Sequence, residues 1–260
     1  MSDRLTDAGG APLPALLLGV PNVVHVSSVP STMDLAHQLA AAGAPAGTVV
    51  LADEQTAGRG RNGRAWHSAP LGGVWLTVIE RPDDVSGLDV LSLRLGLRLA
   101  HALERFAEGP VSVKWPNDLF LASRKLAGVL VEARWRGGVP DWVAVGIGIN
   151  LGVPPGVTAG IPPRVPAGVS AAALRRGVAR DHVFATVVAV ARDAARARGA
   201  LSPAELDAFA RRDVARGRPC TAPARGVVQG ISSAGELVIA TATGPALFRS
   251  GSLAFAGDAP

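Results

Sequence analysis

Apolar residues at helical spacing alternate along the chain with short apolar runs that are typical of β-strands. The longest helical pattern covers residues 88–106, where leucines recur every three or four positions. Another pattern begins at Ser31 and Thr32, whose hydroxyls are preferred helix N-caps, and ends at Gly43. Further helices are predicted over residues 170–177, 181–198 and 202–211.

The apolar runs predict seven strands before residue 151, over residues 23–26, 48–53, 74–79, 111–114, 118–121, 125–135 and 142–150. Helices and strands do not alternate regularly, and neighbouring strands are often joined by short turns. This order favours an α+β domain with a mixed or antiparallel sheet over a repeating βαβ fold.

The last part of the chain has a different pattern, with short strands separated by glycines. Five are predicted, over residues 219–222, 226–232, 236–241, 246–249 and 253–256. This pattern indicates a small five-stranded barrel, which at about 40 residues needs to pack on a larger domain. We therefore predict an N-terminal tail (1–22), a main domain (23–212) and a small C-terminal domain (213–260).

Composition narrows the class of protein. The 260 residues are 48% hydrophobic and 18% charged, which excludes a disordered chain. The single cysteine, Cys220, excludes an internal disulfide framework and a cysteine-based zinc site. No apolar run is long enough to span a membrane, and the basic start of a signal peptide is missing. We expect a cytoplasmic protein without membrane partners.

The net charge of +5 raises the question of nucleic-acid binding. The basic residues are dispersed, and tyrosine is absent, so a surface on which bases could stack is poorly supplied. Only two of the 26 basic residues are lysines, Lys114 and Lys125. This usage suggests two positions where a compact ammonium works and a guanidinium does not.

Glycines and arginines alternate at residues 58–64, and Trp66 follows. Such a loop can direct backbone amides and guanidinium groups at one anion. It is not a P-loop, because no Lys-Ser/Thr pair follows at the required spacing. A flexible surface loop, or an RNA-binding one, is the alternative.

Three further segments carry candidate chemistry. Residues 114–118 place a lysine, an asparagine and an aspartate around Pro116, a set that suits a magnesium-bound nucleotide but also an ordinary β-turn. Lys125 stands at the start of an apolar strand that contains Gly128. In residues 146–150, glycines leave part of one face of a strand without side chains, which gives room for a flat ligand. The alternative for Lys125 is an ordinary lysine at a strand edge. The alternative for residues 146–150 is a β-bulge followed by a turn.

Together and in this order, these segments resemble the biotin protein ligase family, strongly over residues 23–151 and onward through the small C-terminal domain. The resemblance implies a class II synthetase-like catalytic domain and an SH3-like C-terminal domain. It also implies the non-repressor type, without an N-terminal DNA-binding domain. The implied reaction has two steps. Biotin and ATP give biotinyl-5′-AMP and pyrophosphate, and a carrier lysine then takes the biotinyl group.

The resemblance further implies Mg²⁺ as a cofactor and a biotin carboxyl carrier domain of an acyl-CoA or pyruvate carboxylase as the partner. The protein would be a monomer or a homodimer. The implied catalytic residues are Lys125, Arg61 and Asp118, with Asp118 also a candidate magnesium ligand. The implied biotin contacts are Ser31, Thr32, Met33, Gln55, Gly58, Arg59, Gly60, Arg61, Trp66, Lys125, Gly128 and Gly148. The implied ATP contacts are Arg59, Arg61, Asn62, Arg64, Trp66, Lys114, Asn117, Asp118, Lys125 and Asn150.

Two positions depart from the family pattern. Met33 stands where the family often has asparagine, and Asn62 where some members have arginine.

Three alternative functions remain at this point: a lipoate or octanoate ligase of the same fold, a non-catalytic biotin-binding sensor, and a nucleic-acid-binding protein.

Overall fold

The structure is a computed structural model that describes residues 18–152 and 173–256. Its larger sheet consists of β1 (Val23–Val29), β2 (Val49–Gln55), β3 (Gly73–Glu80), β4 (Val111–Lys114), β5 (Asp118–Leu121), β6 (Arg124–Arg136) and β7 (Val139–Asn150). The strand order is β1-β2-β3-β7-β6-β5-β4. Only β1 and β2 pair in parallel, so the predicted α+β class with a mixed sheet is confirmed.

Four α-helices lie in the described part of the chain: α1 (Thr32–Ala41), α2 (Leu91–Leu103), α3 (Arg180–Ala195) and α4 (Pro203–Arg212). Side chains alternate between the faces of a strand, and this alternation divides the core. Val49 and Leu51 join the large cluster that contains α2 and α3, whereas Val50 joins a smaller cluster with Ala36 and Ala40 of α1. The helix α1 therefore covers one face of the sheet, and α2 and α3 cover the other. None of the helices in this part of the chain is long and apolar enough to cross a membrane.

The predicted helix ends are only partly correct. Ser31 is the N-cap of α1, but its hydroxyl makes no capping hydrogen bond. The helical pattern of residues 88–106 becomes α2 with a short 3₁₀ turn at each end. The helix predicted over residues 170–177 is wrong for residues 173–177, and residues 170–172 lie outside the described part of the chain. There the amides of Leu174 and Arg175 donate to the carbonyls of Asn150 and Phe106 instead of to a helix.

The C-terminal sheet contains five strands, as predicted: β8 (Pro219–Ala222), β9 (Gly226–Ile231), β10 (Leu237–Thr241), β11 (Gly244–Phe248) and β12 (Ala254–Phe255). Its antiparallel order is β11-β10-β9-β8-β12. Its apolar residues Val228, Leu237 and Phe255 belong to the same core cluster as the main domain. The small sheet is therefore packed on the larger domain, as its length led us to expect.

Asp213 lies at the junction of these two parts, between α4 and β8. The neighbouring Val214 amide donates to the carbonyl of Val113 in β4. One oxygen of Asp213 accepts from the Ala215 amide at 2.8 Å, and the other is buried without a hydrogen-bond partner in the described structure. Burial raises the pKa of Asp213 to about 6, although the Ala215 amide and the Arg216 charge act against the increase.

We expect Asp213 to make folding pH-dependent. Between its ordinary pKa and about 6, the folded protein keeps a proton that the unfolded chain has released. The stabilisation by this group is therefore complete below its ordinary pKa and is lost as the pH rises through about 6. Asp213→Asn should flatten that slope, which is worth at most about 1.4 kcal/mol per pH unit. Urea unfolding of both proteins from pH 4.5 to 8 measures it, and parallel curves would contradict this role.

Candidate active site

The glycine-arginine loop is a tight hairpin that rises from β2. Its stem is closed by hydrogen bonds from the Gly60 amide to the Arg64 carbonyl and from the Trp66 amide to the Gly58 carbonyl, both at 2.7 Å. At its tip, Asn62 has a φ of 56°. Asparagine tolerates this left-handed conformation better than most residues. The turn therefore gives a structural reason for Asn62 at this position.

The indole of Trp66 lies against two glycines of the sheet. Gly128 in β6 and Gly148 in β7 are direct partners across the two strands. A Cβ atom on Gly148 would lie 2.7 Å from the indole Nε1 and Cε2 atoms, and one on Gly128 would lie 3.1 Å from Cζ3. In this structure the indole itself occupies the space that these glycines leave. The indole Nε1 is buried and has no hydrogen-bond partner among the described residues.

A cationic group lies beside this indole. The Lys125 Nζ atom is 5.1 Å from the centre of a Trp66 ring and 2.7 Å from an oxygen of Asp118. The Asn150 side chain donates to the Lys125 carbonyl at 3.3 Å. Burial lowers the pKa of Arg61, opposed by attraction to the negative charge of Asp118. The structure thus brings together four of the residues proposed from the sequence, Lys125, Asp118, Trp66 and Asn150.

Next to Lys125, Asp118 and Trp66, polar side chains connect helix α1 to the sheet. The Gln55 Oε1 atom accepts from the amide and the hydroxyl of Thr32, at 2.9 and 3.1 Å. The Gln55 Nε2 atom donates to Ser68, and the Thr77 hydroxyl donates to that of Thr32 at 2.9 Å. Sequence analysis missed Ser68 and Thr77. Thr77 could have been recognised as a lone polar residue within the apolar strand β3.

Met33 is buried beside this network. A Cβ on Gly146 would lie 2.7 Å from its terminal methyl group, so the side chain fills the space above that glycine. Met33 therefore supplies an apolar surface, where an asparagine would supply a polar one.

Two arginines of the loop are directed to other partners. Arg59 donates to Asp34 in α1 at 2.7 Å and to Glu132 in β6 at 2.6 Å. The exposed Arg64 donates to the Ser252 hydroxyl at 2.9 Å. The guanidinium groups of Arg59 and Arg64 therefore donate to Asp34, Glu132 and Ser252, whereas Lys125 pairs with Asp118.

Residues 114–118 include side chains that could contact a ligand and side chains that make contacts within the fold. The Lys114 Nζ atom is 4.8 Å from the centre of the Phe255 ring, so this lysine faces the C-terminal sheet. The Asn117 side chain donates to the Val129 carbonyl at 2.7 Å, which is a structural use of its amide. Lys114, Asn117 and Asp118 nevertheless line one small hollow against α2.

The donor set fits a nucleotide-borne magnesium ion better than a resident metal. Within residues 18–152 and 173–256, no three histidine, cysteine, aspartate or glutamate side chains form a group that could hold a metal. Asp118 offers one carboxylate, and one of its oxygens is paired with Lys125. Mg²⁺ often binds through one or two carboxylates together with substrate phosphates, and Asp118 fits that mode.

A larger cavity of about 510 Å³ lies elsewhere, among α2, α3 and α4. Its lining includes Leu97, His101 and Val190, and none of the lining residues belongs to the predicted site. We therefore base the site on the convergence of Lys125, Asp118 and the loop.

Comparison with known proteins finds relatives of the part of the chain that carries this site. Residues 26–150 match the Biotin/lipoate A/B protein ligase family. The chain is 38% identical over 135 residues to the bifunctional ligase/repressor BirA of Bacillus subtilis, covering 52% of this chain and 42% of BirA. It is 44% identical over 110 residues to the biotin–[acetyl-CoA-carboxylase] ligase of Paracoccus denitrificans, covering 41% and 45%. These matches span less than half the length of either relative.

The fold comparison extends over most of the chain. The structure of the biotin protein ligase from Aquifex aeolicus in complex with biotin and ATP aligns with a TM-score of 0.72 at 26% identity. The alignment covers 91% of this chain and all of the Aquifex chain. The family resemblance drawn from the loop and the lysine segments is therefore confirmed.

Proposed function

We propose that this protein is an ATP-dependent ligase that attaches biotin to a lysine of a biotin carboxyl carrier domain through a biotinyl-5′-AMP intermediate. The observation that carries the proposal is the ammonium group of Lys125, which is paired with Asp118 and lies beside the Trp66 ring. The charge of the same carboxylate also attracts Arg61. The similarity to an Aquifex ligase bound to biotin and ATP supports this choice of substrates.

The first step joins two anions, a carboxylate and a triphosphate, that repel each other in a partly dry site. Lys125 and Arg61 would offset this repulsion and hold the biotin carboxylate near the α-phosphorus. One carboxylate oxygen attacks that phosphorus, the bond to the β-phosphate oxygen breaks, and pyrophosphate leaves. A compact ammonium that contacts both groups stabilises the charge that develops in the transition state.

The second step transfers the biotinyl group. The amine of the carrier lysine attacks the acyl carbon of the mixed anhydride, AMP leaves, and the amine releases a proton. Asp118 is the carboxylate placed to orient that amine and to take the proton. When bound, Mg²⁺ would neutralise phosphate charge, with Asp118 as the protein ligand.

The network of Thr32, Gln55 and their partners would position the ureido ring of biotin. Ser31 and Met33 lie at the same helix start, and both are buried. Trp66 would cover the acyl chain, with Gly128 and Gly148 allowing its close approach to the sheet. Asn150 and Lys114 are proposed on the nucleotide side, together with the backbone of the loop.

The class of carrier protein, the location and the oligomeric state are part of the same proposal. The carrier domain belongs to an acyl-CoA or pyruvate carboxylase, and the enzyme works in the cytoplasm as a monomer or a homodimer.

The experiment is a transfer assay with an unmodified carrier domain, ATP and Mg²⁺. We expect biotin to be attached to one carrier lysine, and replacement of that lysine by arginine should abolish the product. Lipoate and octanoate are the matched alternative substrates. Transfer of either in preference to biotin would contradict the choice of substrate, and transfer of none of the three would contradict the ligase function.

A further inference from the structure

Arg59 differs from the other arginines of the loop because two carboxylates from two separate elements bind its guanidinium group. Asp34 lies in the first turn of α1, and Glu132 lies on β6. Three nitrogens of Arg59 are used, with Nε and Nη2 donating to Asp34 and Nη1 and Nη2 donating to Glu132. Such a forked contact fixes direction as well as distance.

Glu132 is itself held in place by further groups. The Trp142 indole donates to the His37 Nδ1 atom at 2.8 Å, and an indole N–H can only donate. The ring proton of His37 therefore lies on Nε2, which donates to Glu132 at 2.9 Å. Partial burial alone would raise the pKa of Glu132, but the hydrogen bonds from Arg59 and His37 and the charge of Arg59 hold it below its usual value.

The anchored residue lies at the base of the loop. Arg59 pairs with Ala65 across the hairpin, between the stem hydrogen bonds of Gly60 and Trp66. A group that fixes Arg59 to α1 and β6 therefore also fixes where the hairpin starts and where Trp66 lies. Arg61, at the tip, makes no hydrogen bond to this anchor among the described residues, and the negative charge of Asp118 attracts it.

We propose that Arg59 is a positioning residue, and that Glu132 anchors it so that the loop stays closed over the bound acyl-adenylate. We name this contact the loop anchor, formed by Arg59, Asp34, Glu132 and His37. This inference rests on the proposed function for its acyl-adenylate ligand. It assigns the Arg59 side chain to loop placement and not to substrate contact.

The first test uses Glu132→Gln, which keeps the shape and removes the charge. Hydrogen exchange of the ligand-free protein should become about fivefold faster at the Gly60 and Trp66 amides. The matched control is Glu236→Gln, because Glu236 pairs with Arg249 and Ser232 in the C-terminal sheet. This control should leave exchange in the loop unchanged. Unchanged exchange in Glu132→Gln would overturn the anchor, whatever the protein's substrate.

The second test measures the acyl-adenylate made from biotin and ATP. In Glu132→Gln the rate constant of adenylate formation should remain within about twofold, while release of the adenylate to solution becomes about fivefold faster. A purely structural defect would not separate these two rates. Faster loop exchange with unchanged adenylate release would refute the positioning role.

A second variant distinguishes loss of the contact from a folding defect in Glu132→Gln. Arg59→Gln removes the other partner and also its contact with Asp34. The effect of the double variant should be smaller than the sum of the two single effects, because both changes break the contact between Arg59 and Glu132. Additive effects would contradict the proposal. Absence of adenylate from the wild-type protein would refute the proposed function and the adenylate-retaining role together, whereas the exchange data would still decide whether the anchor exists.

Discussion

Lys125→Ala is expected to slow adenylate formation by about 10²- to 10³-fold, the usual cost of removing one preorganised group that stabilises transition-state charge. Lys125 Nζ lies between the Asp118 carboxylate and the Trp66 ring, so the variant removes the nearest ammonium to both. The fold should persist, because the lysine side chain is 27% exposed and its partner 25%. Single-turnover measurement of biotinyl-AMP formation determines the effect.

Two further variants make the Lys125 result specific. Arg124→Ala removes the adjacent exposed cation and should leave the rate unchanged. Lys125→Arg keeps the charge but replaces a compact ammonium with a planar fork, so it should restore only part of the rate. A folded Lys125→Ala protein with the wild-type rate would contradict the role proposed for this lysine.

Gly148→Ala is expected to displace Trp66 and to weaken biotin binding by about fivefold or more, since overpacking typically costs about 1–3 kcal/mol. The new methyl group would lie 2.7–2.8 Å from three atoms of a rigid indole. The ring must therefore move away from the strand, and it can no longer cover the acyl chain. Calorimetric titration with biotin measures the change in affinity.

Gly109→Ala is the control for Gly148→Ala, because the nearest atom to the new methyl among the described residues would be a Leu121 methyl at an ordinary 3.9 Å. Its biotin affinity should equal that of the wild type. Trp66→Ala combined with Gly148→Ala should be no worse than Trp66→Ala alone, since the clash is then absent. Normal biotin binding by Gly148→Ala would show that the indole position is not important for the ligand.

Much of the fold follows from local pattern. The predicted bounds of β4, β5 and β8 coincide with the observed ones, because each is a short run closed by a proline, glycine or polar turn. The helix predicted over residues 170–177 failed where it can be checked, because Leu174 and Arg175 donate to distant carbonyls that a local pattern cannot reveal.

The candidate site, like the fold, could be predicted only in part from the sequence. The segments were visible in the sequence, but the direction of each side chain was not. Arg59 and Arg61 are two residues apart in an alternating run, yet Asp34 and Glu132 bind the first, whereas the second is attracted by the charge of Asp118. Those carboxylates are distant in sequence, so only the folded sheet distinguishes the two arginines.

The role of the two sheet glycines could also be predicted only in part. The sequence indicated that Gly128 and Gly148 leave space on the sheet, and it could not show that the Trp66 indole occupies this space. Likewise, Thr77 completes the network around Thr32 and Gln55 only because β3 lies beside α1 in the fold.

Incubation of the protein with Mg²⁺ and ATP labelled at its α-phosphate, with and without biotin, tests the proposed ligase activity without any carrier. We predict labelled biotinyl-5′-AMP that forms only when biotin is present and remains largely bound to the protein. A folded protein that forms no labelled adenylate with biotin, or that forms it with lipoate alone, would contradict the proposed function.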